Sequence, residues 1–281
     1  MAAFKNGCVC RQKAKIYLRL MLLKILKSLA AHPLTRGMNL DSPETTIQRL
    51  RIIQEKPFLK KFYRQCYLGL GKSLPVDVDG PLLELGSGGG FLKEYIPELM
   101  TSEILQIPGV DIILDGQRLP FKRAALRGIV MFDVFHHLPD VKSFLTEAAD
   151  CVKPGGAIVM IEPWNTALSR LIFRFLHHEP FRPDSQDWHI SGGGPLSMAN
   201  QALPWIVFKR DQEEFKQQCS KWHIEAIKLN YPFCYLLSGG LAYRSFMPGF
   251  SFGFWRTVEN CLQTWMDSWA MFAKIVLIRN R

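Results

Sequence analysis

The strongest chemical signal in this chain is the run Glu84-Leu85-Gly86-Ser87-Gly88-Gly89-Gly90-Phe91. Glycines at 86, 88 and 90 let a strand turn tightly into the next element while a ligand approaches the backbone. A dinucleotide fingerprint needs a small residue at the last position of G-x-G-x-x-G, where the helix packs closely on the strand. Here that position is Phe91, which is too bulky. Glu84, just before the first glycine, suits a ligand carrying an ammonium and a sulfonium better than one carrying two phosphates. Taken alone, such a run also serves a bare strand–helix turn with no ligand.

Other acids follow at useful positions. Glu103 lies 19 residues after Glu84 on an expected second strand, where a carboxylate accepts hydrogen bonds from both hydroxyls of a ribose. The alternative is a surface carboxylate. Asp115-Gly116 follows an expected third strand; Asp115 can accept a bond from an adenine amino group, or the pair can simply form a turn. Asp133 ends the fourth strand and leads into Val134-Phe135-His136-His137. Histidine is the common base for a weakly acidic acceptor, and the carboxyl edge of an open sheet is where ligands bind. His137 is the preferred base, with His136 beside it; a structural role for both is the rival reading. Glu162 ends the fifth strand, to orient an acceptor or to charge a helix N-terminus. His177-His178-Glu179 are three neighbours on an irregular stretch, a poor facial ligand set, so no metal is expected.

Short apolar runs separated by helical segments position these residues. Strands are expected at Pro81–Leu85, Thr101–Leu105, Val110–Leu114, Gly128–Asp133 and, after the turn Lys153-Pro154-Gly155-Gly156, Ala157–Ile161. Helices are expected at Phe91–Leu99, Val141–Val152, Trp164–Leu176 and Asp211–Gln218, with further strands at Trp222–Leu229 and Ala273–Ile278. Nearly continuous apolar strands alternating with helices imply a parallel sheet covered on both faces. Residues 13–31 and 43–73 read as helices, the second divided by Pro57. The domain reading is a basic helical extension over 1–75 and an α/β domain over 76–281. Within it, 163–210 forms a lid whose long polar loop is 177–203, and 231–269 is an aromatic-rich insertion. That insertion supplies either an apolar acceptor pocket, a membrane-facing surface, or plain core.

The order E-L-G-S-G-G-G, L-D-G-Q-R-L-P-F, F-D-V-F-H-H-L-P-D and L-T-E-A-A-D-C-V-K-P-G-G-A-I-V-M-I-E-P resembles the class I, "type 11" S-adenosylmethionine-dependent methyltransferases, which include enzymes of quinone biosynthesis. The resemblance covers about residues 80–163. It implies a Rossmann-like, seven-stranded, mostly parallel sheet with an antiparallel last strand inserted between two others. It also implies S-adenosylmethionine as cofactor, with Glu84, Gly86, Ser87, Gly88 and Gly90 at its methionine end. By the same resemblance Glu103 holds the ribose, Asp115 and Gly116 the adenine, and Asp133 and its successors border the transfer site. The stretch Leu99–Glu103 is shorter than the family's usual second strand.

Composition fits a globular protein, with 281 residues, 48% hydrophobic and 21% charged. The net charge of +10 sits in the first 64 residues, which hold 14 Lys and Arg against 3 acids. Such an arm suits an anionic membrane or nucleic acid, or is a solvated cap. Seven cysteines without a C-x-x-C pair suit reduced thiols in the cytoplasm, with peripheral membrane contact through the arm or the insertion open. No run reaches about 18 apolar residues, as a spanning helix requires. The first 40 residues lack acids, as mitochondrial transit segments do, but are poor in serine. Three functions follow as expectations: methyl transfer to a small-molecule or lipid-like acceptor, methyl transfer to RNA gripped by the arm, and a non-catalytic binding role. The absence of an N/D-P-P-[YFW] segment after the fourth strand disfavours amino-group methylation of nucleic acid.

Overall fold

The computed structural model describes residues 30–35 and 37–281. The expected helix over 13–31 therefore lies almost wholly outside the described residues. Seven strands form one sheet in the order β3-β2-β1-β4-β5-β7-β6. They are β1 (Leu82–Glu84), β2 (Leu99–Glu103), β3 (Ile112–Ile113), β4 (Leu126–Phe132), β5 (Val152–Pro163), β6 (Trp222–Asn230) and β7 (Phe272–Arg279). β1 to β5 pair in parallel, and β7 runs antiparallel between β5 and β6, as the resemblance implies.

Side chains alternate across the sheet with the period of a strand. Leu83, Ile129, Met131, Ile158, Met160, Ile275 and Leu277 fill one core; Leu82, Val130, Val159, Ile161 and Val276 fill the other. The first core is closed by α3 (Val141–Cys151) and by the segment from Leu203 through α5 (Gln212–Gln218). Asp140 starts α3, its carboxylate accepting from the Lys142 and Ser143 amides. The second core is closed by α1 (Pro43–Glu55) and α2 (Pro57–Gly71). Pro57 separates these two helices, as expected. α2 buries Phe58, Leu59, Phe62, Cys66, Tyr67 and Leu70. Residues 43–71 are thus one layer of the domain, sharing its core.

Two elements differ from expectation. Phe91–Leu99 is not a helix: a single 3-10 turn, Leu92–Glu94, is followed by β2. Pro97 stops a helix that would start at Phe91, since it lacks an amide and restricts the residue before it. The aromatic rings of α2 take up the space, with Tyr67 edge-on to Phe91 at 5.0 Å. As a result β2 begins at Leu99 and ends on Glu103 rather than passing through it. The Lys153–Gly156 turn is absorbed into β5, where the pairing register with β4 shifts between Leu126 and Gly128. Gly155 takes a φ of +80° to allow it.

After β5, α4 (Ala167–Leu176) opens on a Thr166/Ser169 capping box. Residues 177–202 contain no helix or strand of their own, as expected of the long loop. The aromatic insertion holds α6 (Cys234–Ser238) and α7 (Phe252–Cys261). It packs on α2, and the buried Lys56 ammonium donates to the carbonyls of Gly240 and Tyr243. Among the described residues five cysteines are free, and no helix is long and apolar enough to cross a membrane.

Candidate active site

β1 delivers Glu84 to the carboxyl edge of the sheet, and the glycine loop turns back over it. Gly86 adopts a φ of +69°, and a Cβ there would lie 2.7 Å from the Val134 side chain. Gly90 is equally confined, because a Cβ would sit 2.7 Å from the Tyr67 hydroxyl. Gly88 is different. With φ at +52°, a Cβ would meet nothing nearer than 3.8 Å and would project into open space. That space is a cavity of about 160 Å³ lined by Glu84, Ser87, Gly88, Glu103, Asp115 and Gly116.

The acids expected to hold a cofactor converge here. Glu84 is buried, and its carboxylate accepts from the Ser87 hydroxyl at 2.8 Å. Burial, with the negative charge of Glu103 adding to it, pushes the Glu84 carboxyl up to about 7. Glu103 accepts from the Gly88 amide at 2.8 Å, so the end of β2 is tied to the glycine loop. Asp115 is exposed at the opposite rim and accepts from the Gln117 amide. Thr46 on α1 lines the same cavity, and its buried hydroxyl has no hydrogen-bond partner. Buried carboxylates, an orphaned hydroxyl and a cradle that a Cβ would fill suit S-adenosylmethionine, which brings an ammonium, a sulfonium and ribose hydroxyls. Pro195, Leu196 and Met198 of the long loop close the cavity, held by Asp41. Asp41 accepts from the Leu196 and Ser197 amides at 2.8 and 2.9 Å and from the Ser197 hydroxyl at 2.6 Å.

A second, larger cavity of about 560 Å³ adjoins the first. Arg49, Tyr63, Phe132, Asp133, His137 and Leu241 line both. Its walls are otherwise largely apolar, from α2, α4 and the insertion, with His177, His178 and Glu179 at one end. Asp133 takes a left-handed φ of +62°, rare outside glycine, at the junction.

The three expected catalytic residues separate. His137 faces both cavities, and its Nδ1 lies 2.8 Å from the Met198 carbonyl. Burial first, then the neighbouring His136 charge, lowers His137 to about 4. His136 is fully buried and lines neither cavity. Glu162 is fully buried too: one oxygen accepts from the Val134 and Phe135 amides, and the other lies 2.8 Å from His136 Nδ1. The expectation that Glu162 orients an acceptor is corrected, since both its oxygens are used within the protein. Direct contact of His136 with an acceptor is corrected for the same reason of burial. The argument against a metal also changes. His177, His178 and Glu179 are neighbours on one loop, but the fold also brings His136 and His137 onto Glu179 from the end of β4.

The sequence marks Asp41 only as part of a helix cap with Ser42 and Pro43, and gives Thr46, Arg49 and Tyr63 no mark at all. A threonine, an arginine and a tyrosine inside amphipathic helices carry no motif, and only docking of α1 and α2 against the glycine loop gives them a place.

Residues 58–220, more than half of the chain, match the family model described as a methyltransferase domain. No curated protein matches the chain. Among solved structures, geranyl diphosphate C-methyltransferase from Streptomyces coelicolor A3(2), in complex with Mg2+, geranyl diphosphate and S-adenosyl-L-homocysteine, is 13% identical, with a TM-score of 0.49 over 89% of this chain and 91% of that one. An S-adenosylmethionine dependent methyltransferase from Mesorhizobium loti is 14% identical, with a TM-score of 0.43 over 75% and 96%. The [4+2]-cyclase SpnF is 10% identical, with a TM-score of 0.46 over 77% and 81%. These likenesses are distant, and none brings a substrate with it. By its family match and its sheet order, the chain belongs to the methyltransferase-domain family, as a class I S-adenosylmethionine-dependent enzyme.

Proposed function

We propose that this enzyme methylates a small, largely apolar or lipid-like acceptor held in the larger cavity. The observation that carries the reading is the shared wall: Tyr63, Phe132, Asp133 and His137 border the cofactor cavity and the acceptor cavity at once. The cofactor supplies an already activated methyl group on sulfonium, so the protein's task is alignment and exclusion of water. Glu84 pairs with the ammonium, Glu103 takes the ribose hydroxyls, and Asp115 takes the adenine amino group. Gly86, Ser87, Gly88 and Gly116 keep the backbone close. Tyr63 and Phe132 wall the junction against water. His137 and Asp133 are the groups placed to receive an acceptor proton. Phe246 lines the acceptor cavity and is 57% exposed, while Phe250 nearby is 85% exposed. That apolar rim supports entry of a lipid-like molecule and peripheral contact with a membrane. The type 11, quinone-like subfamily fits such an acceptor.

The test is transfer of labelled methyl from S-adenosylmethionine into fractionated extract. Label is expected in the organic-soluble fraction. Label confined to RNA would favour the nucleic-acid reading, and cofactor binding with no labelled product in any fraction would favour a binding role.

A further inference from the structure

Five side chains gather around the polar end of the acceptor cavity: His137, His178 and Glu179 line it, and His136 and Glu162 stand buried behind them. The His136 and His137 rings lie 4.2 Å apart on the turn after β4. Met198 offers a carbonyl to His137 Nδ1, and a carbonyl can only accept, so that nitrogen carries the proton and Nε2 presents a lone pair. The Glu162 carboxylate holds the Nδ1 proton of His136 in the same way, at 2.8 Å. Both Nε2 atoms turn to Glu179: His136 lies 3.3 Å from Oε2, which also accepts from Gln201 Nε2 at 2.9 Å, and His137 lies 3.7 Å from Oε1. His178 Nε2 also approaches Oε1, at 3.5 Å.

Potential ligand atoms from three residues therefore face one another across a small space. The His136 contact, at 3.3 Å, is a long hydrogen bond, while those of His137 and His178, at 3.7 and 3.5 Å, exceed the roughly 2.7–3.2 Å of an N–H···O bond. Bonds of about 2.0–2.2 Å at tetrahedral or octahedral angles put neighbouring ligands of one ion about 3–3.6 Å apart; the His136 and His178 separations fall in that range, and that of His137, at 3.7 Å, lies just beyond it. The candidate ligand atoms of His136, His137 and Glu179 all lie within 4.8 Å of one another. The outer arrangement agrees as well. A metal-ligating histidine usually gives its second N–H to a carboxylate or a carbonyl, and His136–Glu162 and His137–Met198 each do so.

We propose that His136, His137 and Glu179 bind a divalent first-row transition metal ion at the end of the acceptor cavity. Two imidazoles and one carboxylate select such an ion over Mg2+ or Ca2+, which prefer all-oxygen sites. His178, 44% exposed to the cavity, stands beside as a further ligand or a gate to it. The inference deepens the small-molecule reading and rests on it for the acceptor. An ion there selects an acceptor that presents an oxygen, such as a hydroxyl or a carboxylate, and holds that oxygen toward the junction. In the loaded protein His137 is a ligand, and the ion takes over the lowering of the acceptor's proton affinity.

The rival without a metal is a doubly protonated His136 bridging Glu162 and Glu179. Calorimetric titration with Zn2+ and visible absorbance with Co2+ separate the two. The full chain is used after chelator treatment, with Cys8→Ser and Cys10→Ser to remove thiols from the arm. One equivalent of Zn2+ with micromolar or tighter affinity is expected, along with a Co2+ band in the visible. Glu179→Gln should abolish both, and Glu162→Gln should weaken Zn2+ by about 10–100-fold, the usual effect of an outer-shell carboxylate. S-adenosylhomocysteine should bind Glu179→Gln as it binds the parent, because Glu179 does not line the cofactor cavity. No saturable uptake, or uptake unchanged in Glu179→Gln, overturns the metal site and leaves the methyltransferase reading intact. Metal uptake without S-adenosylhomocysteine binding would overturn the cofactor roles instead.

Discussion

Glu84 shows how one buried carboxylate links cofactor binding to pH. Its carboxyl is raised to about 7, chiefly by burial, so below that pH the unliganded protein keeps it protonated and neutral. The cofactor's ammonium pairs with the ionised form. Affinity for S-adenosylhomocysteine is therefore expected to fall by about tenfold per pH unit below 7 and to level off above it. Calorimetry between pH 5 and 8 checks this, with Glu84→Gln as the control that should bind weakly and without that slope. The stability of the unliganded protein carries the opposite sign. A folded-state pKa above the unfolded one gives a contribution fully present below about 4.5 and lost as pH rises through about 7. Gly86 makes a simpler point. Any side chain there meets Val134, so Gly86→Arg should abolish S-adenosylhomocysteine binding, and a dissociation constant within a few-fold of the parent's would contradict the role given to the loop.

At the scale of elements, the long loop after α4 is fastened by one aspartate. Asp41 gathers three hydrogen bonds from Leu196 and Ser197 and so ties the start of α1 to the loop that closes the cofactor cavity. Asp41→Ala leaves two backbone amides to find water, at a cost of about 1–3 kcal/mol in stability. Faster release of S-adenosylhomocysteine is expected, read by stopped-flow fluorescence, with faster deuterium exchange at Leu196 and Ser197. Gly194→Ala should act in the same direction, because its Cβ would fall within 2.4 Å of the Asp41 carboxylate. If release is unchanged in both variants, the loop is held by other contacts. The turn after β4 depends likewise on Glu162, which accepts two amides at once and lets Asp133 keep its left-handed backbone.

At the scale of the molecule, α1 and α2 complete the second core and also supply Thr46, Arg49 and Tyr63 to the two cavities. Phe62 is fully buried and touches the rings of Tyr231 and Phe272. Phe62→Ala should cost about 3–5 kcal/mol, measured by urea denaturation followed by circular dichroism. A chain begun at residue 76 would expose Val159 and Ile161 to water and is expected not to fold cooperatively. A sharp thermal transition in that chain would show that the two helices are dispensable.

The sequence by itself determined the sheet and the cofactor loop, because both are written in local patterns. Alternating apolar runs specify buried strands, and the spacing of Glu84, Gly86, Gly88 and Gly90 is the chemistry of a close backbone approach. The inserted antiparallel strand came with the family resemblance rather than from any period in β6 or β7. The tertiary structure alone decided which side of the sheet α2 covers, and hence that its rings fill the space over Phe91 where Pro97 already forbids a helix. It also decided that Glu162 works through His136 and that Glu179 meets histidines more than 40 positions away. Those contacts join residues by packing between elements, and no periodicity or spacing along a chain records which elements will touch.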